Sequence, residues 1–134
     1  MLQVHNACGT VALLHCIANN ASNIKLRDDC WFGKFLEDAE GLDATARGSL
    51  LENCASVAST HLELATEGQS TPPDADDPVY HHFIAFVHKD GHLYELDGRK
   101  SFPINHGVSS VETVLEDSAR VCREFMERDP TDVN

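Results

Sequence analysis

HHFIAFVHKDGHLYELDGRKSFPINHG, residues 81–107, is the stretch on which the fold turns. Asp90-Gly91 stands between two runs rich in aromatic and aliphatic residues, a strong signal for a two-residue hairpin. A second break at Asp97-Gly98 and a third short run complete a strand, turn, strand, turn, strand pattern. With Asp90 and Gly91 as the turn pair, Lys89 faces His92, and the same count sets His82 opposite Arg99 and Ile84 opposite Asp97. His82 and Asp97 are then diagonal neighbours on one face. Such diagonals lie about 7–8 Å apart at the backbone, within reach of a histidine–carboxylate hydrogen bond. A slip of one residue would set the two side chains on opposite faces.

Helical spacing dominates on either side of this segment. Residues 6–20, NACGTVALLHCIANN, place Val11, Leu14 and Ala18 on one line, with Asn6 as N-cap and Asn19-Asn20 as stop. A helix apolar over most of its circumference is expected to be buried. Residues 30–39 and 43–56 read as two further helices. Residues 109–127 read as another, with Val111, Val114, Leu115, Ala119, Cys122 and Phe125 as its apolar stripe. Between them, residues 66–78 (TEGQSTPPDADDP) have no apolar periodicity and are expected to form a long exposed loop, either a linker or a lid. Helices first and antiparallel strands later indicate an α+β fold in one domain, a scale that suits 134 residues.

Composition narrows the chemistry. A formal charge of −12 argues against nucleic acid and suits a basic protein partner. No apolar run reaches the roughly 18 residues of a membrane span, and the start lacks the pattern of an export signal. Cys8, Cys16, Cys30, Cys54 and Cys122 are odd in number, irregular in spacing and without a CxxC pair. That disfavours a disulfide framework and a structural zinc site, and points to a reducing, cytoplasmic setting with no metal or cofactor. Among the five, Cys8 stands at a helix start, where the dipole and unpaired N–H groups favour a thiolate, and Gly9 beside it would admit a substrate backbone. The other four read as core or surface filler. A thiol, an imidazole and a carboxylate that orients it form a nucleophilic set, for which Cys8, His82 and Asp97 are the candidates. His81 reads as structural or exposed, His88 and His92 as a solvated pair at the turn, and His5, His15, His61 and His106 as background.

Two of these segments resemble the ubiquitin carboxyl-terminal hydrolases, papain-like cysteine proteases that cleave after the C-terminal glycine of ubiquitin. NACGTVALLHCIANN is similar to that family's nucleophile motif, and HFIAFVHKDGHLYELDGRKSFPINHG to its histidine and aspartate segment. EGQSTPPDADD falls where the family has its active-site crossover loop, here about residues 60–78, and VLEDSARVCREFMERDP resembles its late helix. The resemblance implies a papain-like core, an antiparallel sheet packed with helices around a buried central helix. It also implies Cys8 as nucleophile, His82 as general acid/base and Asp97 as its orienter. Ubiquitin or a ubiquitin-like protein, with small adducts on its C-terminus, would be the substrate. The expected reaction is thiol-dependent hydrolysis of amide, ester or thioester adducts through an acyl-enzyme. In the family an oxyanion glutamine stands six residues before the nucleophile. Leu2 occupies that place here, which leaves Gln3 as the oxyanion candidate. Family members carry an N-terminal segment and a final strand that residues 1–134 do not contain, so the chain is expected to be a catalytic domain missing both. The alternative is a chain that binds ubiquitin, or another partner, without turnover.

Overall fold

The computed structural model describes residues 7–67 and 82–128. Four helices come first: α1 (Cys8–Asn19), α2 (Trp31–Asp38), α3 (Ala44–Glu52) and α4 (Ala55–Glu67). Three strands follow, β1 (Ala85–Lys89), β2 (His92–Leu96) and β3 (Ile104–Val108), and then α5 (Val114–Arg128). The strands pair antiparallel in the order β1-β2-β3, which makes the fold α+β as the sequence implies.

The hairpin has the expected register, running from Lys89↔His92 at the turn to Ala85↔Leu96. Asp90 and Gly91 both take positive φ, 49° and 78°, the backbone that lets a two-residue turn follow the strand twist. The strands begin at Ala85, so His82 lies just before β1 rather than in it. Between β2 and β3 the register slips at His92/Tyr94, so that His106 and Gly107 together oppose Leu93. Such a bulge re-aims a side chain.

The sheet and α5 share one part of the core, and Phe32, Ala39 and Val57 are buried among the helices. Ala85, Val87 and Leu93 are buried, and Val121 of α5 is fully buried with them. α1 lies against β1, and α5 against both β1 and β2. A second apolar group, the mutually contacting rings of Trp31, Phe32 and Phe35, belongs to α2.

Several expectations are corrected. α1 is not a buried central helix among the described residues: no residue of it is buried, and Leu13 is exposed. It is apolar on more sides than β1 covers. Its N-cap is Ala7, with no side-chain hydrogen bond, and Asn6 lies outside the described residues. Its end is as expected, with the side chains of Asn19 and Asn20 donating to the carbonyls of His15 and Cys16. Residues 43–56 form not one helix but two. Asp43 caps α3 through Oδ1 to the Ala46 N–H (2.8 Å), and Asn53 turns its side chain back onto Ser49 O, after which α4 restarts. α4 runs through Glu67, so the first part of the expected loop at 60–78 is helical. Its polar, Thr- and His-containing sequence hides an amphipathic pattern. Residues 68–78 lie outside the described residues.

In α5 the inward line is Val114, Ser118, Val121 and Phe125, with Val121 buried and the others half-buried, while Leu115 and Cys122 are exposed. The helix turns 100° per residue, so a stripe drawn one position late carries its members from core to solvent. The helix also starts later than expected, because Ser110 and Thr113 exchange side-chain and backbone hydrogen bonds before it, a reciprocal cap. Among the described residues, no helix is long and apolar enough to cross a membrane.

Candidate active site

The two-residue turn does at long range what the sequence count requires. His82 Nε2 donates to Asp97 Oδ1 at 2.6 Å, and the Asp97 side chain is only 8% exposed. Asp97 also accepts from the Arg99 N–H at 2.8 Å. Burial pushes the Asp97 carboxyl up. The Arg99 N–H, the His82 hydrogen bond, and then the charges of His82 and Lys100 outweigh this, and hold it below the ordinary carboxylate range. An ionised carboxylate can only accept, so the proton of a neutral His82 sits on Nε2 and the free lone pair on Nδ1. That Nδ1 is buried and has no hydrogen-bond partner.

The α1 surface next to this pair is the one that carries Cys8. Val11 Cγ1 would lie 3.0 Å from a Cβ built on Gly98, so a side chain there would force Val11 to give by a few tenths of an ångström, and the loop after Asp97 comes close to α1 at this point. Gly9 meets the ring of Phe83, the residue after His82, and a Cβ there would lie 3.6 Å from it. That is an ordinary van der Waals distance, so Gly9 marks where α1 meets Phe83 without being required by that contact. His15 completes the face. Burial lowers its pKa, with the charge of Asp97 opposing, so it lies near that carboxylate. Cys8, Val11 and His15 recur at helical spacing on one side of α1. Cys8 is half-buried on this side, and no hydrogen bond joins it to His82 among the described residues. With Ala7 giving no side-chain cap, the first-turn N–H groups of α1 lack a side-chain partner there.

The structure therefore brings His82 and Asp97 into contact, and packs the Cys8 helix against the residues beside each. Gln3, His5 and His81 lie outside the described residues. Cys16, Cys30 and Cys54 are half-buried, Cys122 is exposed, and all five cysteines are free thiols. Among the described residues no group of three histidine, cysteine or carboxylate side chains could hold a metal.

Sequence reasoning passed over several histidine contacts. His61 bonds Thr10 at 2.9 Å and links α4 to α1. His88 is not solvated, since its Nε2 is buried without a partner. His106 is not background either. Its Nε2 donates to Glu95 Oε2 at 2.8 Å, and Lys100 donates to the other oxygen of this carboxylate, which is 2% exposed. The signal was present in the sequence: strand alternation puts Glu95 on the face of Leu93, where an inward carboxylate must find cations.

Comparison with known proteins follows this geometry. The model of a family described as "Ubiquitin carboxyl-terminal hydrolase, family 1" matches residues 3–127. A ubiquitin carboxyl-terminal hydrolase of Drosophila melanogaster is 50% identical over 129 residues, which cover 96% of this chain and 56% of that protein. The human ubiquitin carboxyl-terminal hydrolase isozyme L1 is 43% identical over 130 residues, 97% of this chain and 57% of the relative. The chain thus spans about half the length of these curated relatives. A crystal structure of the Trichinella spiralis UCH37 catalytic domain bound to ubiquitin vinyl methyl ester superimposes with a TM-score of 0.74. It covers all of this chain and 58% of that one at 21% identity, a likeness of fold.

Proposed function

The chain belongs to ubiquitin carboxyl-terminal hydrolase family 1, and on that premise we propose that it carries the reacting residues of a cysteine-type deubiquitinase. The observation that carries the reading is the buried His82–Asp97 bond, which leaves a partnerless Nδ1 beside the helix of Cys8. Asp97 holds the imidazole in the tautomer that presents a basic nitrogen. Cys8 Sγ, its proton passed to His82 Nδ1, attacks the carbonyl carbon of ubiquitin's terminal glycine. The tetrahedral oxyanion is met by N–H groups at the start of α1, with Gln3 as a further donor. As the intermediate collapses, the C–N, C–O or C–S bond to the leaving group breaks, and His82 returns the proton to that group. The thioester left on Cys8 is then cleaved by a water that gives its proton to His82, which frees ubiquitin and the thiol. The substrates are ubiquitin, or a ubiquitin-like protein, bearing small adducts at its C-terminus. The charge of −12 suits a basic tail. Five free thiols support action in a reducing, cytoplasmic compartment.

A ubiquitin probe with a C-terminal electrophile tests the reading. A folded sample is expected to gain the mass of one probe, and Cys8→Ala to gain none. Labelling that persists in Cys8→Ala, or no labelling of folded protein, would sink it. The missing hydrogen bond between Cys8 and His82 favours one other reading, ubiquitin binding without turnover. Catalytic hydrogen bonds commonly tighten only with substrate in place, so turnover does not require the bond in the free chain. NMR shifts on ubiquitin titration with no hydrolysis of a ubiquitin fluorogenic ester would select the binding reading.

A further inference from the structure

The connection that bears Asp97 leaves the buried end of β2 and crosses open surface before β3 begins. Residues 98–103 are all exposed. Two hydrogen bonds fix the shape of the turn, Lys100 N–H to Asp97 O (3.0 Å) and Arg99 N–H to Asp97 Oδ1 (2.8 Å). Both are internal to it, so neither fixes where the turn sits. Among the described residues the hydrogen bond from this connection back to the sheet is made by Lys100, whose Nζ donates to Glu95. Glu95 is itself held at its other oxygen by His106, whose ring is gripped edge-on between Phe86 and Phe125, at 5.9 and 6.2 Å between centroids. A continuous set of contacts thus runs from the α5 side of the sheet to the orienting carboxylate.

Stability alone gives little reason for this arrangement. A buried carboxylate with its charged partners often does no better than apolar side chains of the same volume, because desolvation cancels much of the attraction. What a charged pair adds is direction, since a carboxylate with one oxygen already held by a fixed donor, here His106, accepts a second donor, Lys100, in one place. We propose that Lys100, held by Glu95, is a positioning residue that fixes the 97–100 turn and so keeps the Asp97 carboxylate on His82. The inference rests on the reading of Cys8, His82 and Asp97 as the reacting set. Lys100 acts through the Asp97 turn and is not itself placed in the reacting set.

The test uses Lys100→Met, Lys100→Arg and Glu95→Gln in the full chain, with thermal unfolding to establish that each is folded. The first readout is the low-field proton signal of His82 Nε2–H, which a bond to Asp97 protects from exchange. The second is hydrolysis of a ubiquitin fluorogenic ester. In Lys100→Met the signal is expected to broaden and kcat to fall about tenfold with KM unchanged, short of the ~10²-fold cost of a misplaced reacting group. Glu95→Gln is expected to act in the same direction, and Lys100→Arg to restore both readouts. An unchanged signal in folded Lys100→Met overturns the proposal, and so does a loss that Lys100→Arg fails to restore. Should Lys100→Met not fold, the same two criteria are applied to Glu95→Gln. If the parent chain hydrolyses nothing yet the signal is lost in Lys100→Met and returns in Lys100→Arg, the positioning role stands and the hydrolase reading falls.

Discussion

β2 buries Leu93 and Glu95 almost completely, whereas α1, packed across β1 from it, buries none of its residues and leaves Leu13 59% exposed. The proposed base and its orienter, His82 and Asp97, belong to the first kind of structure. A two-residue turn, a fixed register and the Glu95 contacts hold them in place. The proposed nucleophile, Cys8, belongs to the second kind, a helix that meets the segments beside His82 and Asp97 through Val11 against Gly98 and Gly9 against Phe83. The His82–Asp97 pair is therefore assembled within about fifteen residues of chain, while the helix of Cys8 comes up beside it only by tertiary packing. Local contacts of this kind form readily, and long-range ones must repay loop closure first.

Substitutions can break that contrast at either end. The largest effect is expected from Cys8→Ala, which should abolish labelling by an electrophilic ubiquitin probe while Tm stays near that of the parent. Asp97→Asn comes next. The amide can donate where the carboxylate only accepts, so the imidazole loses the constraint on its tautomer. The comparable change in a serine-protease triad costs about 10⁴ in kcat, and a fall of this order in ester hydrolysis is expected here. Gly98→Ala probes the seam between the two regions, since its Cβ would meet Val11 Cγ1 at 3.0 Å. A displaced α1 should lower kcat by about 10–10², and Val11→Ala added to it should recover most of the loss. No recovery in the double variant would mean that the seam does not set the position of the thiol.

Stability should divide along the same line. Leu93→Ala is expected to cost about 2–5 kcal/mol in denaturant titrations, while Leu13→Ala, on exposed surface, should stay within about 0.5 kcal/mol. Equal losses would erase the distinction. The smallest effect is that of pH. Burial pushes Glu95 up, and the hydrogen bonds from Lys100 and His106 with their charges outweigh it, so its pKa, like that of Asp97, is lowered. A carboxyl whose folded pKa is depressed stabilises the fold above its unfolded value, about 4, and that stability is lost as pH falls through the folded value. Tm is thus expected to be level from pH 7 to about 5 and to decline below about 4. His106→Gln removes one of the lowering partners and should flatten the decline.

The hairpin was legible in the sequence because its information is local. Asp90-Gly91 fixes the turn, the turn fixes the register, and the register brings His82 to Asp97. The helix types of α1, α2 and α5 were legible for the same reason. What was not legible depends on partners distant in the chain. Whether α1 is covered is decided by β1, more than sixty residues away. Which face of α5 turns inward is decided by the sheet, and Val121 and Cys122 differ only in their angle to it. The division of residues 43–56 rests on Asn53 choosing Ser49 O, which apolar spacing does not register. Glu95 was readable as an inward carboxylate, but its donors Lys100 and His106 come from the connection and from a bulged strand.

The two positive φ angles at Asp90 and Gly91 have a consequence for how this gene can vary. They set where the count along both strands begins, and His82 and Asp97 meet because each lies the right number of residues from that point. Side chains alternate faces along β1, so the loss or gain of one codon between residues 85 and 89 would break that register and shift His82, three residues before the strand, by one place relative to Asp97. A substitution in that span changes one contact; a single-codon deletion would separate the imidazole from its carboxylate while leaving every reacting residue in the translated chain.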